Sequence, residues 1–427
     1  MKKVVWIAGL IGLMGILNSC SHEKSMTPDD PGYYSITDGD YFEGDYGEGV
    51  GGGPGSGSQG GNEQSQAGRV TAGEWRDLDN WLFWSGLMTE NIVDSSETNE
   101  EYYPYEIKSY GYYCSYWGFY TNNRVAVRLT DASGAPQKDV PVQLVRLNGE
   151  NPIVLYEART DNKGETNLWL GLTQEQKSVD ATTLALVVNG AQQPEAVRIT
   201  HFGEEPVWNA FTASVAGAVN MDIAFIVDAT GSMTDEIDFL KADLTNIIST
   251  VQSRHADASI RTAAVFYRDE GDDYLTRESD FSANLSTTTA FIELQTADGG
   301  GDYPEAVHSA LQAGIQKLSW HESNCIRVAF MLLDAPPHKN DQVIASLQQT
   351  IPLYSKAGIR IIPVAASGID KTTEFFLRFT AIATDGTYVF LTNDSGVGGD
   401  HIKATVGEYK VELLNELIVR LIEEYLE

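Results

Sequence analysis

Two hydrophobic periods divide the chain. Between residues 119 and 201, short apolar stretches alternate with polar positions on a two-residue period, at 124–129, 140–145, 153–158, 166–170 and 184–188. Turn-forming residues separate them, including Asp131 to Gly134 and the run Thr160, Asp161, Asn162, Lys163, Gly164. Strands of this length between such turns predict a small antiparallel β-sandwich. From residue 221 the pattern changes to longer apolar runs alternating with helical stretches. It predicts strands at 221–228, 260–267, 324–334, 359–365 and 387–391, and helices at 234–254, 286–295, 304–317, 342–357, 371–384 and 407–426. Such alternation implies a mostly parallel sheet with helices on both faces.

The segments before residue 119 are of other kinds. Residues 1–20 carry Lys2 and Lys3, an apolar run from Val4 to Leu17 and small residues after it, the parts of an export signal. That run is short for a membrane-spanning helix. Leu17, Asn18, Ser19 and Cys20 resemble a bacterial lipobox, which implies lipidation at Cys20 and an extracytoplasmic chain held to the membrane by lipid only. Ser21 in the next position implies the outer membrane in a Gram-negative host. Residues 21–67 are rich in Asp, Glu, Gly and Ser and predict a flexible acidic tether. Residues 68–118 form an aromatic-rich leader with Trp75, Trp81, Phe83, Trp84, Tyr102, Tyr103, Tyr105, Tyr110, Tyr112, Tyr113, Tyr116 and Trp117, and 74–84 is expected to be a short helix. These aromatics either pack against a neighbouring module or offer a binding face. The expected organisation is therefore multidomain: signal 1–20, tether 21–67, leader 68–118, β-sandwich 119–203, linker 204–220 and α/β domain 221–427.

The chemistry gathers at the ends of the α/β strands. The apolar run 223–227 stops at Asp228, and Thr230 and Ser232 follow at alternate positions around Gly231. A turn of this kind at a strand's carboxyl end collects oxygen atoms around one point, which suits a hard divalent cation. A second apolar strand ends in Asp334, followed by Ala335, Pro336, Pro337 and His338. Between the two lie Tyr267, Arg268 and Asp269, and then Gly299, Gly300, Gly301, Asp302, Tyr303, Pro304 and Glu305, a glycine loop opening a helix.

Taken in this order, these motifs resemble the metal-ion-dependent adhesion site of von Willebrand factor type A domains, and the resemblance covers residues 221–427. It implies a Rossmann-like α/β fold with an antiparallel edge strand at 274–281. It also implies a cation, Mg²⁺ or alternatively Mn²⁺ or Ca²⁺, held by Asp228, Thr230, Ser232, Asp302 and Asp334. In the family the hydroxyls ligate directly and one coordination position stays open for an oxygen of a partner, commonly a carboxylate. The central threonine of the family's second loop has no clear counterpart here. Asp302 stands where it is expected, and two roles are open to it: metal ligand, or N-cap of the helix after Pro304. Asp269, Asp272 and Asp273 form an acidic loop that serves as an accessory cation site or as a solvated surface. The preceding sandwich resembles carboxypeptidase-regulatory and transthyretin-like domains. There Asp161 and Glu165 can be read as calcium ligands, or as members of an ordinary turn.

Composition narrows the function. With 29 Lys and Arg against 60 Asp and Glu, the net charge of −31 excludes a nucleic-acid footprint. Seven His without His/Cys ligand spacing exclude a zinc site of the usual kind. Apart from Cys20, the cysteines are Cys114 and Cys325, which either pair in an oxidising compartment or stay as buried thiols. The chain has no Ser-His-Asp order, no H-E-x-x-H and no phosphate-binding loop with its Lys, so an enzyme is not expected. The expected function is that of a surface-anchored, cation-dependent protein-binding lipoprotein. The alternatives are an envelope-assembly scaffold with a structural metal and a metal-assisted hydrolase.

Overall fold

The computed structural model describes residues 70–88, 110–149, 151–215, 220–393 and 402–427. The signal segment with Cys20 and the tether 21–67 lie outside the described residues, as does 89–109 of the leader.

The leader enters as a strand. Residues 71–75 form β1 (Thr71–Trp75), followed by α1 (Trp81–Leu87) and α2 (Tyr110–Trp117). The expected helix over 74–84 is displaced because Glu74 and Trp75 pair with Val389 and Tyr388. Next come β2 (Asn123–Thr130), β3 (Pro141–Arg146), β4 (Ile153–Arg159), β5 (Glu165–Trp169), β6 (Leu184–Val188), β7 (Ala191–Gln192), β8 (Thr200–His201) and β9 (Trp208–Thr212). They form two four-stranded sheets, β4-β3-β6-β7 and β5-β2-β8 with β9 on β2. The stretch expected to be a linker thus contributes β9, which runs parallel to β2, so this sheet is mixed rather than wholly antiparallel. The Arg128 guanidinium lies over the Trp208 ring at 4.3 Å, an attraction that helps hold β9 in register. Asp161 is committed to its turn, its Oδ1 accepting from the backbone N–H of Lys163 (2.9 Å) and Glu165 (2.8 Å), while Glu165 pairs with Arg128.

The rest alternates as the pattern predicts: β10 (Asn220–Asp228), α3 (Thr234–Arg254), β11 (Ser259–Tyr267), β12 (Thr276–Ser282), α4 (Leu285–Glu293), α5 (Val307–Gln316), β13 (Cys325–Leu333), α6 (Asp341–Ala357), β14 (Ile359–Ala365), α7 (Lys371–Ala383), β15 (Tyr388–Leu391), β16 (Glu412–Leu413) and α8 (Leu414–Leu426). Strand order is β12-β11-β10-β13-β14-β15-β1-β16. From β11 to β15 the neighbours are parallel, β12 is an antiparallel edge on β11, and β1 is antiparallel to both β15 and β16. β10 is covered on both faces, which is why it reads as an unbroken apolar run. Its alternate residues serve two cores. Ile223, Phe225 and Val227 pack with Leu240, Leu244 and Ile248 of α3 and with Leu417 and Leu421 of α8, and Ala224 and Ile226 face Leu311, Leu347 and Ile351.

Two helices are shorter than expected, each because backbone groups are taken elsewhere. α5 starts at Val307 since Glu305 is held in a parallel β-bridge with Pro337, its N–H donating to Pro336 O at 2.9 Å. α8 starts at Leu414 since residues 412 and 413 pair with β1. The second core is larger than the α/β domain. One contiguous set of buried side chains includes Trp81, Trp84, Tyr110 and Trp117 of the leader, Val125, Leu144 and Leu168 of the two smaller sheets, and Ile361, Phe375 and Phe379 of the α/β part. α7 is buried almost all round, as an element between two layers must be. Its Phe375 stacks on Trp84 (5.8 Å between centroids), its Phe376 meets Trp117 (5.4 Å), and Phe379 stacks on Phe119 (4.3 Å). The leader's aromatics are thus mainly core. Among the described residues no helix is long and apolar enough to cross a membrane.

Candidate metal centre

β10 delivers Asp228 to the carboxyl end of the sheet with no exposed surface. The chain then turns through Thr230 and a single tight turn, Gly231–Met233, into α3. Asp228 Oδ1 organises that turn by accepting from Thr230 N–H (2.9 Å) and Thr230 Oγ1 (2.7 Å), the usual behaviour of an Asp at a strand-to-helix turn. Among the described residues, neither Asp228 Oδ2 nor the buried Tyr267 hydroxyl makes a hydrogen bond of good geometry, although Tyr267 lies near enough to Asp228 for each to influence the other's proton.

The glycine loop is laced to the first turn. Gly231 N–H donates to Gly299 O (3.2 Å) and Asp298 N–H to Ala229 O (3.0 Å). Gly299 and Gly300 have φ of +82° and +76°, and a Cβ on Gly299 would fall 2.5 Å from the Asp272 carboxylate. Glycine is therefore required there by both backbone and space. Asp272 Oδ2 accepts from Gly300 N–H (3.0 Å) and Asp269 N–H (3.1 Å). Of the accessory acidic residues, Asp272 is thus occupied in shaping the glycine loop, Asp269 pairs with His338 Nε2 at 2.6 Å, and Asp273 is exposed.

Asp334 follows β13 and is largely buried. Ser232, Asp302, Tyr303, Glu305 and Asp334 line one open cleft of about 440 Å³, with Ser367 and Gly368 on the far rim. Asp302 is exposed on this cleft. Its helix-cap alternative does not hold, because the N-cap position of α5 falls on Ala306 and no side chain bonds there. Tyr303 braces the rim, its hydroxyl accepting from Asp370 N–H at 2.9 Å.

The electrostatics are one-sided. Burial, and then the charge of Asp334, pushes the Asp228 carboxyl up to about 7. Burial raises Asp334 too, against the opposing pull of the Ser232 hydroxyl. Glu305 is pushed up to about 9 by burial and then by Asp228, Asp269, Asp334 and Asp272. Glu236, in the first turn of α3, is pushed up to about 7, by burial first and with Asp334 contributing. Arg268 does not neutralise this group. Its Nε donates to Ala229 O (3.1 Å) and its Nη2 to Thr296 O (2.8 Å), and its nearest acid is the exposed Asp298 at 3.9 Å. Among the described residues, Asp228, Glu305 and Asp334 have no ion-pair partner. Buried carboxylates in that condition take up a proton, as the raised Asp228 and Glu305 carboxyls do, or need a counter-charge. An all-oxygen donor set suits a hard divalent cation; as they stand, the three do not bring their oxygens within 4.8 Å of one another.

Glu305 and Glu236 were not singled out from sequence, because each reads as an ordinary acid near a helix start. A second cluster was also missed. Asp222, His321 and Cys325 come together at the opposite end of β10 and β13, with ligand-type atoms within 4.8 Å. There Arg261 already grips Asp222, Nε to Oδ1 at 2.8 Å and Nη2 to Oδ2 at 2.7 Å, and His321 donates its N–H to Oδ2 at 2.8 Å. With the Cys325 thiol pushed up to about 12 by burial, this cluster is a closed ion pair. Cys114 and Cys325 are both free and buried.

Among curated proteins, the chain is 32% identical over 171 residues to the alpha-protein kinase vwkA of Dictyostelium discoideum, covering 40% of this chain and 27% of that protein. It is 32% identical over 118 residues to a putative ariadne-like RING finger protein of Acanthamoeba polyphaga mimivirus, covering 28% of this chain and 11% of that protein. The chain therefore spans well under half the length of either relative. Among solved structures it resembles the pilus adhesin SpaC of Lactobacillus rhamnosus GG in its open conformation, with 12% identity, 50% of this chain and 30% of that one covered, and a TM-score of 0.35. BatB of Bacteroides thetaiotaomicron gives 11% identity, 48% and 98% coverage and a TM-score of 0.31. At these values neither structural likeness bears on function. The family described as von Willebrand factor A domain matches residues 222–373, which span β10 and Asp228, β13 and Asp334, and the glycine loop between them. Residues 222–373 are a von Willebrand factor A domain.

Proposed function

We propose that this protein is a lipid-anchored envelope protein that binds a protein partner through a divalent cation, Mg²⁺ in the first place and Mn²⁺ or Ca²⁺ as substitutes. Asp228, Thr230, Ser232, Asp302 and Asp334 would hold the ion. When bound, the cation supplies a coordination position that a partner's carboxylate oxygen can fill. The single observation that carries the reading is the Asp228 carboxylate, fully buried at the strand end with no ion-pair partner among the described residues, beside the turn that carries Thr230 and Ser232. The open cleft lined by Ser232, Asp302 and Asp334 supports it, since it leaves room for a partner's side chain. The two sheets at 123–212, read as a sandwich related to carboxypeptidase-regulatory domains, would act as a spacer. The 21–67 tether would give reach from an outer membrane anchored at Cys20.

The test is a pull-down from envelope and matrix extracts with the full chain and with Asp228→Ala, in Mg²⁺ and in chelator. A partner retained by wild type in Mg²⁺, lost in chelator and lost with Asp228→Ala is the expected result. Retention that ignores chelator and mutation alike removes the mechanism. A cation that raises the melting temperature but leaves partner retention unchanged would instead favour a scaffold with a structural metal.

A further inference from the structure

We propose that Tyr267 is a positioning residue of the cation site, its buried hydroxyl fixing the Asp228 carboxylate in the orientation that meets the ion. The inference rests on the cation-binding reading above. It adds a residue that ligates nothing, so the coordination position left for a partner stays open. Strand register brings the two side chains together. β10 and β11 run parallel with Asp228 opposite Tyr267, and Ala229 N–H donates to Tyr267 O at 2.8 Å. Residues opposite one another on neighbouring strands point to the same face of the sheet. Here that face carries Ala224 and Ile226 of β10, Ala263 and Val265 of β11, and Leu311 of α5 above them. Neither Asp228 nor Tyr267 has any exposed surface.

A buried tyrosine hydroxyl normally finds a partner, and that of Tyr267 has none of good geometry. Its ring belongs to an apolar core, so acceptors are few. Burial, then Asp228, and more weakly Asp334 and Glu305, hold the phenol well above its ordinary range. Asp228 is thus the acid nearest to it in effect. On the Asp228 side, Oδ1 already accepts from Thr230 N–H and Thr230 Oγ1, while Oδ2 lacks a well-placed donor. A donor in want of an acceptor and an acceptor in want of a donor therefore lie at adjoining strand ends. With the carboxylate charged against a cation, a small rotation of the phenol or the carboxylate completes the bond. Oδ1 is then held by the turn and Oδ2 by the neighbouring strand. Each oxygen keeps a further lone pair for the ion or its water, and the carboxylate can no longer swing away.

The experiment is calorimetric titration of the full chain with Mn²⁺ and with Mg²⁺, at a temperature where each chain is folded, with melting temperatures in chelator. The chains are wild type, Tyr267→Phe, Asp228→Ala and Tyr354→Phe. Tyr354 serves for comparison: it is equally buried, and its hydroxyl donates to a backbone carbonyl, Leu311 O at 2.7 Å, rather than to an acid of the site. For Tyr267→Phe the expected loss in affinity is about tenfold or more, since removing a group that orients a metal's ligands typically costs about 10–100-fold. Its melting temperature in chelator should stay near that of wild type, because the hydroxyl it lacks makes no hydrogen bond of good geometry there. Tyr354→Phe should do the reverse, melting lower and binding either ion as wild type does. Should Tyr267→Phe also melt lower, the comparison decides: affinity lost in Tyr267→Phe but kept in Tyr354→Phe supports the assignment. An equal loss in Tyr354→Phe overturns it, since any buried hydroxyl would then do. Wild-type affinity in Tyr267→Phe, alongside loss in Asp228→Ala, overturns it as well and leaves the cation site standing. Failure of wild type to take up either ion, or uptake that survives Asp228→Ala, overturns both.

Discussion

At Asp228 full burial, and then the neighbouring charge of Asp334, outweigh the two hydrogen bonds from Thr230, and this balance makes a testable pH dependence. Without a cation its carboxyl sits at about 7, against an ordinary value of 3.8. Between those limits the folded chain holds the proton more tightly than the unfolded one does, so this residue's contribution to stability falls as pH rises from about 4 to about 7. Below that window the folded and unfolded carboxyls are both protonated and the penalty is absent. In chelator, the melting temperature of wild type relative to Asp228→Asn should therefore drop across that window, and added Mg²⁺ should restore wild type but not the variant. A flat difference across the window would place Asp228 in ordinary solvation. The positions of Asp228 at a strand end, of Thr230 and Ser232 on the turn after it and of Asp334 after β13 were legible in the sequence because a strand end and alternate spacing are covalent facts. Glu305 was not, since what buries it is the pairing of its backbone with Pro336, 31 residues further on by numbering. The cap role considered for Asp302 failed for a related reason, the bridge between Glu305 and Pro337 leaving the helix to start at Val307.

At the scale of elements, the parallel strands and their helices followed from apolar runs and helical periods, with α3 and β14 at the expected bounds and β10, β11 and α6 each starting one residue earlier. The strand β1 was not legible. Thr71–Trp75 has neither length nor strong alternation, and its pairing is supplied by β15 and β16, more than 300 residues away. The leader's aromatics raised two readings that local pattern could not separate. Their burial is decided by α7, whose Phe375, Phe376 and Phe379 face them. Arg378 of α7 joins this contact, donating through Nε to Asp77 Oδ2 at 2.9 Å and lying 5.1 Å from the Trp84 ring centre. Trp84 itself has no exposed surface, and its indole N–H donates to Thr121 Oγ1 at 2.9 Å. Trp84→Ala removes a fully buried ring and leaves a cavity beside a buried ion pair. It should cost about 3–5 kcal/mol, read as a lower denaturant midpoint with the same slope. A variant of wild-type stability would mean that the leader packs only loosely on α7.

For the molecule as a whole, the joint between the smaller sheets and the α/β part is built like an interior. Asp385, at φ +59° and buried, accepts from Thr166 Oγ1 (2.6 Å), Asn167 N–H (3.1 Å) and Asn167 Nδ2 (2.7 Å) of β5. Asp139, beside β3, pairs with Arg327 of β13 at 2.8 Å, and the Tyr156 hydroxyl of β4 donates to Ala383 O at 2.9 Å. These polar bonds sit around apolar packing that runs unbroken from Val125 and Leu168 through Trp84 to Phe375 and Ile361. Modules joined by a linker alone would unfold separately, whereas modules sharing a core lose both when either opens. Heating should therefore give one transition, with calorimetric and van't Hoff enthalpies in agreement and with near-UV and far-UV signals moving together. Asp385→Ala leaves the Asn167 amide and Thr166 hydroxyl without their acceptor, at a cost of about 1–3 kcal/mol. It should lower that single transition rather than divide it. Two resolved transitions in wild type would show that the shared core does not couple the parts, and the smaller sheets would then be free to move against the α/β part.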